Sequence, residues 1–239
     1  MANVITVLPQ LLLAMLHVIG GFAALPLAVK SRRAALTSSA VFLLVFFVVH
    51  GLGNLTALVS GDTFNKYGHK LHSLGLLLYV VEAYLFIGFL VHSSSALLIT
   101  RSDKKVQLGS RFSWTQARLA VSGVIVLAFV VLHVLTFRFG KWYTATVDGV
   151  EVRDLWRLQK EVFSSLPVVV FYEVSVMALC SHLLWGWTKA VKKPTGLGAH
   201  LPKEAQPAAE AIGNLLAYAV TLAYMAVPIY TYLVVHGRL

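Results

Sequence analysis

The chain has 239 residues, of which 58% are hydrophobic and only 13% charged, and its mean hydropathy is +0.76. Soluble domains run near about 45–50% apolar and about 25% charged, so the composition excludes a soluble enzyme, a disordered chain and a nucleic-acid-binding module, and points to an all-α polytopic membrane protein. The net charge of +10, from 20 Lys and Arg against 10 Asp and Glu, then reads as cytoplasmic loops and contact with anionic lipid, with no nucleic acid as partner.

Crossing about 30 Å of hydrocarbon takes about 20 apolar residues. Six runs qualify: 8–29, 34–59, 70–100, 113–137, 163–188 and 209–235. The first has no basic segment ahead of it and an apolar core longer than that of a signal peptide, so we expect a retained extra membrane helix over 1–31, with His17 structural, and a second domain over 32–239. The connection 138–162 holds Val147-Asp148-Gly149-Val150, a turn signal. The stretch 192–208, with Pro194, Gly196, Gly198, Pro202 and Pro207, reads as an aqueous loop. The one cysteine, Cys180, excludes an internal disulfide and a cysteine-based metal or cluster site.

Orientation follows from alternate loops. One set carries Lys30, Arg32, Arg33, Arg101, Lys104, Lys105, Arg111, Lys189, Lys192, Lys193 and Lys203 against Asp103, Glu204 and Glu210. The other carries eight basic residues against five acids, five of the eight in 138–162. The positive-inside rule puts the first set in the cytoplasm and both termini outside.

Four histidines stand well inside runs two to five, one on each: His50, His92, His133 and His182. Imidazole is a common axial ligand of haem iron, and two imidazoles fill both axial positions. His92 lies nine residues before Arg101 and His182 ten before Lys192, so both are about 14–15 Å from the inner charged edge. His50 lies twelve residues before Asp62 and His133 eight before Lys141, about 12–18 Å from the outer edge. Height alone therefore pairs His92 with His182 and His50 with His133, as two bis-histidine haems b in a bundle of helices two to five. The bland alternative is that each histidine only hydrogen-bonds a neighbouring helix.

The residues around these histidines resemble the di-haem, single-subunit cytochrome b of succinate:quinone oxidoreductases (succinate dehydrogenase and fumarate reductase) from about Arg32 to the C-terminus. Arg32-Arg33 and then His50 in HGLGNL are similar to a basic pair followed by HxxGNL. Gly61 to Gly75, GDTFNKYGHKLHSLG, resembles the outer loop. His92 closes helix three in LVHSSSALL. Gly123 precedes His133 by ten residues, and His182 is followed by Gly186 and a basic loop. Gly123 and Gly186 would let a porphyrin approach the backbone. The chain departs from the family in its extra first helix and in HLLWGW after His182, where the family often has a second HG or HFxNG element.

The resemblance implies a membrane anchor docked on its cytoplasmic face by a flavoprotein carrying FAD and an iron–sulfur protein. Electrons would pass from succinate to a quinone, menaquinone in most di-haem members, in the inner cell membrane, and the heterotrimer could form a higher oligomer. Anionic haem propionates need donors; Arg32, Arg33, Arg118, Lys192 and Lys193 qualify, with Trp114, Gln116 and Ser122. Arg118 reads equally as an interfacial residue that snorkels. Quinone reduction also needs proton donors. Glu82 and Glu173 are the only acids inside helices, and a buried carboxyl there is neutral or paired. Glu82 reads either as a proton carrier for an outer quinone site or as a Glu bonded across helices, and His69, Lys70 and His72 stand at the same outer end of helix three. Lys104, Arg111 and Trp114 would instead serve a cytoplasmic-side quinone. Two other readings stay open: the cytochrome b of a hydrogenase or formate dehydrogenase, and a haem-free proton-coupled transporter.

Overall fold

A computed structural model describes residues 7–16, 31–102, 114–193 and 197–239, without the side chains at 115 and 116. Five helices among them are long and apolar enough to cross a membrane. We name the helices α1 (Val7–Leu16), α2 (Arg32–Asn54), α3 (Gly61–His72), α4 (Leu76–Ser102), α5 (Trp114–Phe137), α6 (Leu155–Val162), α7 (Leu166–Lys192) and α8 (Gln206–Val235). Strands β1 (Thr144–Val147) and β2 (Val150–Arg153) form an antiparallel hairpin. The described residues are thus mostly helical, with one small hairpin, and the five long apolar helices fit a membrane protein. These five candidate spans lie on α2, α4, α5, α7 and α8. The first apolar run is described only over α1, and residues 17–30, with His17, lie outside the described residues.

One expected run needs correction. The stretch 70–100 is not a single helix: α3 ends at His72, and α4 starts at Leu76. Gly75 sits between them at φ 55°, a backbone conformation that favours glycine. His69, Lys70 and His72 therefore belong to α3 and not to a spanning helix. The turn at Asp148-Gly149 is as expected. Both residues have positive φ, 52° and 78°, the two-residue geometry whose twist matches paired antiparallel strands.

The chain divides into two compact units. The first holds residues 1–47, 80–119 and 183–217. In it α1 buries Val7, Leu11 and Ala14, spaced as one helical face, against Val41, Leu44, Trp187 and Val191. Trp187 donates its indole N–H to the Ala209 carbonyl at 3.0 Å. A side chain at Gly213 would overlap that indole, so the glycine admits it. The Thr188 hydroxyl donates to Glu210 at 2.9 Å, and Lys192 pairs with the same carboxylate at 2.9 Å.

The second unit holds residues 48–79, 120–182 and 218–239. Here α3, α6 and the hairpin pack together through a polar lock. Asn65, 3% exposed, donates to Asp154 Oδ1 at 2.9 Å and accepts from the Trp156 backbone N–H at 3.0 Å. Asp154 also caps α6 by accepting from the Arg157 N–H. Gly61 and Gly68 bring α3 close to α6, because a Cβ at either would strike Trp156 or Leu155. Buried Gln159 donates to Thr231 on α8 at 2.7 Å.

Candidate functional site

His50 on α2 and His133 on α5 meet in the second unit. Their ring centroids are 5.9 Å apart and their planes stand at 84°. Nδ1 of His133 is buried, with no hydrogen-bond partner among the described residues. The α5 face that carries His133 is aromatic at four-residue intervals. Phe129 and Phe137 flank the imidazole at 5.6 and 5.1 Å. Tyr172 of α7 closes on it at 6.2 Å and makes edge contact with Phe129 and Phe163. These rings surround the imidazole with apolar surface.

On the His50 side, Tyr224 of α8 stands 6.0 Å away, ring to ring. Each residue of the Gly51-Leu52-Gly53-Asn54 stretch now has a physical role or an exposed position. A Cβ at Gly51 would sit 3.6 Å from the Tyr224 ring, while one at Gly53 would overlap the end of the Tyr67 side chain. Asn54 donates to the His50 carbonyl at 2.8 Å, and Leu52 is exposed. Sequence reasoning missed Tyr67, Tyr172, Tyr224, Phe129 and Phe137. The two glycines after His50 were the available signal for the first and third of these.

His182 on α7 has its own setting. Ser122 Oγ lies 3.2 Å from its Nδ1, and a Cβ at Gly123 would stand 3.2 Å from its Cε1. Both α5 residues singled out beside each other thus meet this histidine. His92 belongs to the first unit. Gly88 and Ser95, the buried residues of α4, bracket it at helical spacing on one face. Gly186 on α7 borders open space, since a Cβ there would meet nothing within 4 Å.

The remaining candidates are dispersed. Arg118 stacks between Trp114 and Trp185, with its guanidinium 4.7 and 5.1 Å from their rings. Lys192 is engaged with Glu210, Lys193 is exposed just beyond α7, and Arg32 and Arg33 are exposed at the start of α2. Gln116 lies on α5, but its side chain falls outside the described residues, as do Lys104 and Arg111 altogether. Glu82 is half-buried on α4. Glu173 on α7 holds both carboxyl oxygens buried without a hydrogen-bond partner among the described residues. His72 donates its Nδ1–H to the Gly68 carbonyl, 2.8 Å away, and packs against Trp142.

Among the described residues no group of three or more His, Cys, Asp or Glu could hold a metal ion. The available donors are paired or single imidazoles in an aromatic and aliphatic setting. No family model, curated protein or solved structure matches the chain.

Proposed function

We propose that this chain is the membrane-anchor cytochrome b of a succinate dehydrogenase or fumarate reductase. In this reading six helices cross the inner cell membrane with both termini outside, helices two to five of the six hold two haems b, and electrons pass between an iron–sulfur partner and a membrane quinone, menaquinone by the resemblance. The flavoprotein and iron–sulfur subunits dock on the cytoplasmic face.

The observation that carries the proposal is the His50/His133 pair. The two imidazoles come from separate helices, α2 and α5, and are the residues that would hold one haem. The rings stand at 5.9 Å. Two protein donors are too few for a bare structural metal, which takes about four. They would suit a haem, which needs only these two ligands from the protein. Haem supplies one-electron chemistry when bound.

The chain's own residues do the rest. His50 and His133 offer nitrogens from two helices, and the Asn54 bond to the His50 carbonyl steadies one of them. Phe129, Phe137 and Tyr172 hold the His133 ring and keep water away, which tunes potential through the local dielectric. At His182, Ser122 Oγ stands within hydrogen-bond reach of Nδ1, and Nε2 is the nitrogen that would bind iron. The second haem, on His92 and His182, rests on the sequence spacing alone.

The test is to purify the complex and measure haem b per chain, with a reduced-minus-oxidised spectrum. Two haems per chain, partly reduced by succinate, is the expected result. No haem in a preparation shown to retain its flavin would overturn the reading.

A further inference from the structure

The connection 138–162 carries five basic residues that iron ligation does not use. Three of them are engaged: Lys141 pairs with Glu161, Arg157 stacks on Tyr143 and Lys160 lies over Trp156. Arg153 is different. It is 7% exposed, and its Nε has no hydrogen-bond partner among the described residues. Its Nη2 donates to the Lys141 carbonyl at 3.4 Å, and the Trp142 ring lies over its guanidinium at 4.6 Å. The acids of the connection do not neutralise it. Asp148 pairs with Lys66, Asp154 is bound by Asn65, Glu161 is bound by Lys141, and Glu151 is exposed. The charge beside Arg153 is instead a second guanidinium, that of Arg138. Burial, and then Arg138, hold Arg153 below the ordinary arginine range. Buried charges in folded proteins are paired. Two neighbouring guanidiniums, one of them buried with an unused donor, therefore mark the place of an anion.

The surroundings identify the anion. Arg138 directly follows α5, about 140° around the helix from His133, and its guanidinium lies near the rings of Tyr79 and Phe139. The His133 face is occupied at that end by Phe137, which contacts Phe163. Arg138 is thus turned away from that imidazole. Tyr79, Phe139 and Trp142 are exposed, as are Leu76 and Leu77 at the start of α4. Rings and aliphatic groups mixed with cations suit the headgroup boundary of a bilayer. We infer that Arg138 and Arg153 form a phosphate site for an anionic phospholipid, in the leaflet on the side of the 138–162 connection. The phosphodiester oxygens accept from Arg138 and, as the exposed Trp142 ring turns aside, from Arg153 Nε. The acyl chains run along the start of α4. The planar guanidinium fork matches phosphate and gives it charge-assisted bonds. The inference is independent of the haem reading and requires only that the chain sits in a bilayer.

The experiment uses the detergent-solubilised complex and native mass spectrometry. The probes are dioctanoyl phosphatidylglycerol, dioctanoyl phosphatidylcholine and inorganic phosphate. The expected result is that the wild type binds phosphatidylglycerol about tenfold more tightly than phosphatidylcholine, as a charge-assisted bond allows, and that phosphate at equal concentration does not displace it. Arg153→Gln and Arg138→Gln each bring the two lipids to about the same Kd. Arg153→Lys keeps the charge without the fork and gives an intermediate value. Circular dichroism checks that each variant is folded; if Arg153→Gln is not, Arg138→Gln and Arg153→Lys carry the test. No lipid preference in the wild type overturns the inference, as does an unchanged preference in folded Arg138→Gln. Displacement by phosphate at equal concentration assigns the pair to a free anion and overturns it too. So does a shifted haem potential with unchanged lipid binding in Arg153→Gln, which assigns the pair to a haem propionate.

Discussion

Ser122 Oγ lies 3.2 Å from Nδ1 of His182, across from α5 to α7. A ligand imidazole held at one nitrogen has its other nitrogen aimed. On the proposed reading, in which His182 is a haem ligand, Ser122→Ala removes that hold and keeps the imidazole. Losses of about 10–100-fold in metal affinity follow removal of such outer partners. The expected outcome is a weakened or potential-shifted haem at His182, with the His50/His133 haem unchanged. Redox titration followed in the visible spectrum separates the two. His50→Ala and His133→Ala should each remove the other haem, and both variants should remove the same one.

The glycines near His182 give a second test. At Gly123 a Cβ would crowd His182 at 3.2 Å, tighter than ordinary van der Waals contact, and at Gly186 it would meet nothing. The protein alone therefore tolerates Gly186→Leu more readily than Gly123→Leu. If a porphyrin occupies the space beside Gly186, the first variant folds and inserts normally but loses one haem. Membrane yield and haem per chain, measured together, check this. A Gly186→Leu protein with both haems would mean that the open space faces lipid.

Much of this arrangement is readable from the sequence because membrane insertion leaves strong marks. Charges and apolar length locate α2, α5, α7 and α8 to within a few residues, and the four histidines stand out as costly polar groups. The break at Ser73–Gly75 is not readable by hydropathy. Leu71 and Leu74 continue the apolar run, and the stop depends on the Gly75 backbone. The aromatic walls of His133 are hidden for another reason. Phe and Tyr are common in membrane helices, so Phe129 and Tyr172 gain meaning only from their position around one imidazole. Gly51 and Gly53 answer to Tyr224 and Tyr67, and the first of these partners is far along the chain.

The extramembrane lock predicts a fold defect separable from the haem. Asn65 satisfies Asp154 and the Trp156 N–H at once and is 3% exposed. Asn65→Ala leaves the part-buried Trp156 N–H without its acceptor, at a cost of about 1–2 kcal/mol. The expected result is a lower thermal midpoint with both haems still bound at low temperature. Asn65→Asp should be worse than Ala, since it sets a second carboxylate against Asp154. Thermal melts of the detergent-solubilised complex, followed by near-UV circular dichroism, decide it.

The last prediction concerns pH. Glu161, at the end of α6, accepts from Lys141 and from the Tyr143 hydroxyl. The bond to Lys141, then that to Tyr143, holds its carboxyl below the usual carboxylate range. The Lys141 ammonium is raised above its ordinary value, chiefly by the same bond. A depressed carboxylate contributes stability above its unfolded pKa and loses it as pH falls through the folded value. A raised lysine contributes stability below its unfolded pKa and loses it as pH rises through the folded value. The pair is therefore fully formed across the neutral range and fails at both extremes. Lys141 and Glu161 are exposed, so solvent and salt keep the effect small. Glu161→Gln should lower the melting temperature slightly between about pH 6 and 9. The gap from the unsubstituted chain should close in acid and shrink at high salt. A gap that persists in acid and in salt would mean that Glu161 acts by packing and not by charge.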